Sequence, residues 1–279
     1  MTLRRKFEEK FFHGLSFVFT AVIVFALVQI IWTIAQKGIP ALSWEIISQE
    51  PKGGFYFGKE GGILNAIAGS FYLAVSATIL AFMISLPVAL FMNIYLIKYK
   101  RFLIGVRFFL DVLWGVPSIV YGAFGFTILM YLGFKNSLGA GTITVAAMIT
   151  PIMIRAMDEV LKTIPIGLQE ASYALGSTKT ETAYKVLCRE ALPGFATAIL
   201  LAFGRGIGDA ASVLFTAGYT DYIPHSFSEP TATLPLAIFF QLNSPIEEVQ
   251  NRAYAAAVIL TLIVLVISIS ARLLNRKKN

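Results

Sequence analysis

The chain is poor in the residues that build metal centres and covalent staples. It has one cysteine, Cys188, and two histidines, His13 and His225, in 279 residues. A single cysteine excludes an internal disulfide and a cysteine-based metal site, and two histidines far apart in sequence give zinc or haem almost no ligands. No metal and no cofactor is therefore expected. A G-x-x-x-x-G-K-[ST] phosphate-binding loop is also missing, so the chain does not itself hydrolyse ATP. Charge is scarce: 14% of residues are Asp, Glu, Lys or Arg, against 57% hydrophobic residues. With a mean hydropathy of +0.72, that balance lies outside the range of soluble proteins and specifies an integral membrane protein. The net charge of +7 raises the question of nucleic acid, but the basic residues fall in short clusters beside apolar runs. That is how orientation signals are distributed, and no nucleic-acid partner is expected.

What is abundant is apolar sequence in lengths that cross a bilayer, which needs about 20 residues per helix. Six candidate spans cover residues 15–35, 63–97, 108–132, 138–157, 195–219 and 253–274. The first follows a basic start, "MTLRRKFEEKFF", but its apolar run is too long for a signal peptide and no small-residue cleavage site closes it, so it reads as a retained span. The second is too long for a simple crossing and contains Pro87, which predicts a kink, a tilt or an end in water. Basic residues gather at the N-terminus (Arg4, Arg5, Lys6, Lys10), between spans two and three (Lys98, Lys100, Arg101, Arg107), between four and five (Lys162, Lys179, Lys185, Arg189) and at the C-terminus (Arg272, Arg276, Lys277, Lys278). The alternate segments hold few: Lys37, Lys52 and Lys59, then Lys135, then Arg252. Six spans with this asymmetry predict both termini in the cytoplasm, residues 158–194 inside and residues 220–252 outside.

The cytoplasmic segment 158–194 reads as a short helix, a glycine break at Gly176 and a second helix, with Pro165 and Pro193 marking the ends. Ala171, Ala174 and Leu175 make a small apolar face suited to a groove in a partner, the alternative being a connector packed on its own membrane domain. In the fifth span, "GRGIGDAA" at 204–211 places Arg205 and Asp209 four residues apart, one helical face, where they can pair. An ionisable residue in a span faces the bundle interior or a watery path. One reading is a lock between helices. A second, intramembrane aspartyl proteolysis with Asp209 catalytic, requires another intramembrane aspartate to share a proton, and none is evident: Asp111 and Asp158 lie near span ends and Asp221 precedes its tyrosine.

"EASYALG" at 170–176 followed by "ALP" at 191–193 resembles the EAA loop of ABC-importer permeases. The stretches 60–96, 115–125 ("GVPSIVYGAFG"), 204–218 ("GRGIGDAASVLFTAG") and 234–245 ("LPLAIFFQLNSP") extend the likeness to phosphate-importer permeases of the PstA type. The resemblance implies an all-α polytopic membrane protein of about six transmembrane helices with the type I, MetI-like permease architecture. It divides the chain into an N-terminal segment, 1–62, with the first span and an external loop, and a permease core, 63–279. Glu170, Ala171 and Gly176 would couple to a cytoplasmic ATPase. A PstB-like ATPase dimer, a PstC-like permease and a PstS-like phosphate-binding protein would be the partners, and phosphate the cargo, with another oxyanion such as sulfate or molybdate as the alternative. Arg205, held by Asp209, and Arg155 would line the anion path, Arg155 having a snorkelling anchor as its plain alternative and Glu159 as a possible pair. This sequence departs from the family pattern in Ser172 for the second alanine, in a Leu192-Pro193 four residues later than usual, and in Asp209 where glutamate is common.

Overall fold

The structure, a computed structural model, describes residues 3–52 and 60–276. The chain opens with α1 (Leu3–Ala41), then a short helix α2 (Trp44–Ser48) and a two-stranded antiparallel ribbon of β1 (Pro51–Lys52) and β2 (Glu60–Gly61). The side chains of α1 that are described are exposed over almost its whole length. It packs near its end on the final helix, α11 (Glu247–Arg276), where a side chain at Gly38 would collide with the backbone of Tyr254 and with Val258. Lys37 Nζ lies 3.3 Å from the Tyr254 hydroxyl and sits over its ring. The end of α1 thus meets the first turns of α11.

The centre is a pair of parallel helices, α3 (Leu64–Ile94) and α6 (Leu138–Lys162). Three contacts set their register: Ser76 to Thr142, Ser85 to the Thr150 carbonyl, and Asn93 to Asp158, with offsets of 66, 65 and 65 residues. A constant offset along about five turns means that the helices run side by side without crossing. Alanines on α3 (Ala74, Ala77, Ala81) and Val145, Ile149 and Met153 on α6 are buried, because small residues let membrane helices approach where no hydrophobic drive distinguishes protein from lipid.

Parallel neighbours need a return crossing, and α4 (Lys100–Gly115) with α5 (Ser118–Tyr131) supply it. The span expected at 108–132 is broken rather than straight: the two helices are bent by 94° at Val116-Pro117. Proline has no N–H and forces its predecessor out of the helical region, and Val116 takes an extended φ/ψ of −68° and 128°. Among the described residues, five single helices are long and apolar enough to cross a membrane, six if the bent pair is one span.

After α6 come α7 (Ile166–Ala174), a single turn α8 (Lys179–Glu181), a π-helical segment Thr182–Leu187 and α9 (Cys188–Ile207), which runs back along α6. The predicted fifth span, 195–219, lies earlier in the chain than expected: the helical run long and apolar enough to cross is Lys179–Ile207, and residues 211–217 form turns. Gly204, Gly206 and Gly208 lower helix propensity at its end. Nor is 220–252 simply an external loop. It contains α10 (Leu234–Leu242), capped by Thr233 and buried at Leu234, Leu236 and Ala237. Nine residues are too few to span a bilayer but enough to plug the bundle end, where the Leu234 N–H donates to Ser70 Oγ at 2.7 Å.

Candidate functional site: a charge lock, a broken helix and a projecting coupling helix

At the end of the bundle that carries α7, the carboxylate of Asp158 is wholly buried and receives donors from three helices. Arg107 of α4 reaches it through Nε at 3.0 Å and Nη2 at 2.9 Å, Asn93 of α3 at 2.9 Å, and Arg155 and Lys162 of α6 at 2.7 and 3.0 Å. Arg155 also holds Asp111 of α4 at 2.6 Å and Glu159 at 3.2 Å. The pairing of Arg155 with Glu159 is thus present, but within a wider cluster. Three cations (Arg107, Arg155, Lys162) meet three carboxylates (Asp111, Asp158, Glu159), and the cluster is neutral as a unit. Sequence reasoning passed over Asp158, Arg107 and Asn93. The available signal was helical spacing: Asp158 is three residues after Arg155 and four before Lys162, and Arg107 is four before Asp111.

Towards the other end of the bundle, Arg205 and Asp209 do not pair as expected. The helix stops at Ile207, and the Asp209 carboxylate instead accepts the backbone N–H of Ser212 at 2.7 Å. Aspartate competes well for free N–H groups at the start of a turn, and the three glycines remove the helix that would have aligned it with Arg205. Arg205 is left exposed, with no ion-pair or hydrogen-bond partner among the described residues. It lies between Gly204, whose missing side chain faces Ile267 of α11, and Gly206, which faces Val145 and Ile149 of α6. Ser212 lies deep beside α5, and a side chain at Gly122 would strike its backbone and that of Ala211.

The third station is α7. Pro165 starts it and Gly176, at φ +83°, ends it in the left-handed region that glycine occupies without cost. Glu170, Ala171, Ala174 and Gly176 are exposed, while Ile166 and Leu175 are 71% and 87% exposed. The inner side is fastened by Ser172, buried, whose hydroxyl lies 2.9 Å from that of Thr182. Ser172 is therefore more than a small-for-small exchange, because it pins α7 to the π-helical segment. Thr178 and Glu181 cap the returning helix reciprocally.

No cluster of three or more His, Cys, Asp or Glu arranged to hold a metal ion occurs among the described residues.

Residues 85–279 match the family described as "Binding-protein-dependent transport system inner membrane component". The phosphate transport system permease protein PstA of Haemophilus influenzae is 34% identical over 277 residues, covering 98% of this chain and 96% of that one. The Yersinia pestis protein of the same name is 36% identical over 264 residues, 92% of this chain and 88% of its own. Among solved structures, the inward-facing MetNI methionine ABC transporter aligns with a TM-score of 0.63 at 20% identity, over 77% of this chain and 95% of that one. A bacterial alginate ABC transporter in complex with its alginate-bound periplasmic protein aligns with a TM-score of 0.61 at 13% identity, over 99% and 97%. These likenesses confirm the helical permease fold, and identity over nearly the full length decides the family: the chain belongs to the PstA permeases among the binding-protein-dependent inner-membrane components.

Proposed function

We propose that this chain is the permease subunit of an ATP-driven importer of inorganic phosphate, forming half of the translocation path while partner subunits hydrolyse ATP. The observation that carries the energetic side of this reading is α7, a short helix standing clear of the bundle with Leu175 exposed at its tip. A helix that is fastened on one side by Ser172 and Thr182 and bare on the other is a handle for a cytoplasmic partner. Glu170, Ala171 and Gly176 are its coupling residues. A PstB-like ATPase dimer grips it, a PstC-like permease supplies the other half of the path, and a PstS-like protein delivers phosphate from outside. The basic clusters at 98–107 and 162–189 and at both ends support the cytoplasmic side for the termini and for α7. The division into 1–62 and 63–279 separates α1, exposed over most of its length and seated on the bundle only through α11, from the bundle that starts at α3.

Arg205 is the anion-path residue. Its guanidinium is uncommitted, and a planar fork of N–H donors matches two oxygens of a tetrahedral oxyanion. Asp209 acts on the same path indirectly, by holding the turn at Ser212 that ends α9 beside Arg205. Arg155 meets an anion only when Asp111 or Asp158 releases it. The test is uptake of radiolabelled phosphate by proteoliposomes carrying the co-purified complex. Arg205→Ala is expected to cut uptake at least tenfold with the subunits still assembled, about the 1.4 kcal/mol of one lost charge-assisted contact. Unchanged uptake removes Arg205 from the path, and uptake of sulfate or molybdate in place of phosphate changes the cargo.

A further inference from the structure

A cavity of about 480 Å³ opens where α3 ends, α4 begins and α6 passes into α7. Its polar lining includes Lys100, Arg107 and Lys162, and no acidic residue lines it. Its apolar wall includes Ile97, Ile104 and Ile166, which are 46%, 65% and 71% exposed. Cations of one sign beside exposed branched aliphatics is an amphiphile's lining. A free anion in water gains nothing from three isoleucines, and a plain acyl chain gains nothing from three cations.

The charge tally points the same way. Arg107 and Lys162 are tied on one side to the Asp158 lock, whose six charges cancel, so the local surplus comes from Lys98, Lys100 and Arg101, all exposed and without partners among the described residues. Arg107 binds Asp158 through Nε and Nη2, which leaves Nη1 for another acceptor. The level in the bilayer also fits. Apolar helix gives way to charge at Lys100 on α4 and at Lys162 on α6, and the exposed Tyr95 and Tyr99 flank the turn above Lys100, where aromatic residues mark a membrane interface.

We infer that this cavity is a site for one anionic phospholipid of the cytoplasmic leaflet, its phosphate between Lys100 and Arg107 and its acyl chain along Ile97, Ile104 and Ile166. Basic pockets between helices on that face are where anionic head groups bind. The site has a consequence for the handle described above, because Ile166 and Gln169, in the first turn of α7, belong to its wall. A bound lipid braces the start of α7 against α4, adding to its tether through Thr163–Pro165 and to the Ser172 contact at its far end. The inference takes the orientation from the proposed function, but its measurement requires no transport.

The complex containing this chain is extracted from membranes, placed in nanodiscs of equal phosphatidylglycerol and phosphatidylcholine with matched acyl chains, and released for native mass spectrometry. Retention of about one phosphatidylglycerol per chain, in preference to phosphatidylcholine, is expected. Lys100→Gln should reduce that preference about fivefold, the effect of one basic residue near an anionic surface. Ile104→Asn should lower retention of both lipids while leaving the preference unchanged. Both residues are exposed and neither serves the Asp158 lock, so the variants are expected to assemble like wild type. Equal retention of the two lipids, an unchanged preference in Lys100→Gln, or displacement of the lipid by millimolar inorganic phosphate overturns the inference. Failure of phosphate uptake in the same preparation would instead count against the proposed cargo and leave the lipid result standing.

Discussion

Asp158→Asn is the most informative single change, because it removes one charge from a neutral cluster and leaves the shape almost intact. The carboxylate is fully buried and holds Arg107, Arg155, Lys162 and Asn93. Removing one member of a buried ion pair costs about 3–5 kcal/mol, since the other charge stays behind uncompensated. Two features set the cost at the lower end. Arg155 keeps Asp111 and Glu159, and Lys162 keeps Glu159. The partner side chains are also 17–34% exposed, so solvent screens part of the loss. Arg107 has no second acid among the described residues and bears most of the penalty, which we put at about 3 kcal/mol. At about 2–4 °C per kcal/mol for a chain of this size, the unfolding midpoint should fall by about 6–12 °C. Intrinsic fluorescence reports it, and Trp114 lies on α4, the helix that is released. Scans must share one heating rate, because membrane proteins unfold irreversibly. A double-mutant cycle with Arg107→Gln isolates the pair and should give a coupling of about 2 kcal/mol. A midpoint within about 2 °C of wild type, or a cycle that closes additively, would refute the view that this cluster locks α3, α4 and α6 together.

Other substitutions probe the remaining features. Gly176→Ala meets no neighbouring atom, so its effect is the cost of about 1–2 kcal/mol of placing a side chain at φ +83°. Faster amide exchange across 170–176 and a severalfold loss of uptake are expected, with the bundle as stable as before. Ser172→Ala leaves the buried Thr182 hydroxyl without its partner, costing about 1–2 kcal/mol, and adding Thr182→Val should recover most of it, as thermal unfolding will show. Gly69→Leu drives a side chain into the Ala232 carbonyl and the Thr231 hydroxyl, where backbone cannot yield. Overpacking of about 1–3 kcal/mol should part α3 from the 231–234 segment and lower the yield of assembled protein.

The spans were legible wherever a helix is uniformly apolar and ends on a charged or capping residue. Leu138–Lys162 begins at Ser137, whose side chain caps Ala140, and finishes at a lysine. The two misread spans share a cause. Hydropathy counts apolar residues without asking whether the backbone can stay helical, so 108–132 ran through Val116-Pro117 and 195–219 ran through three glycines. Residues 234–242 went unrecognised as a helix because a buried nine-residue plug has neither the length of a span nor the polarity of a loop. At the site, a short helix before Gly176 was readable from its helix formers and flanking proline, but not whether its apolar side would face a partner or the bundle. The Asp158 lock was only half readable: spacing along one helix puts Arg155, Asp158, Glu159 and Lys162 on neighbouring faces, but nothing local to α6 says that Arg107, Asp111 and Asn93 arrive from α4 and α3. The Arg205–Asp209 pair failed for the converse reason, because four-residue spacing means contact only where the helix persists.

The distribution of fixed and free charge bears on how motion at α7 would reach the proposed anion path. The handle joins the bundle at two places, through Thr163–Pro165 to the end of α6 and through the π-helical segment to the start of α9. These levers differ in stiffness. The end of α6 is bound by charge-assisted contacts to α3 and α4, so those three helices respond as one block. The described contacts of α9 with α6 include close glycine seats, Gly194 against Val160 and Gly206 against Val145 and Ile149, beside buried Ala191, Phe195, Ala198 and Ala202. Shifting an apolar seat strands no charge, whereas parting a buried ion pair leaves one uncompensated. On the proposed coupling, displacement of α7 is expected to fall mainly on α9, which carries Arg205 in its last turn, just before the break at Gly208. The uncommitted arginine is thus, on this proposal, on the lever expected to move, and the compensated ones are on the block expected to stay fixed.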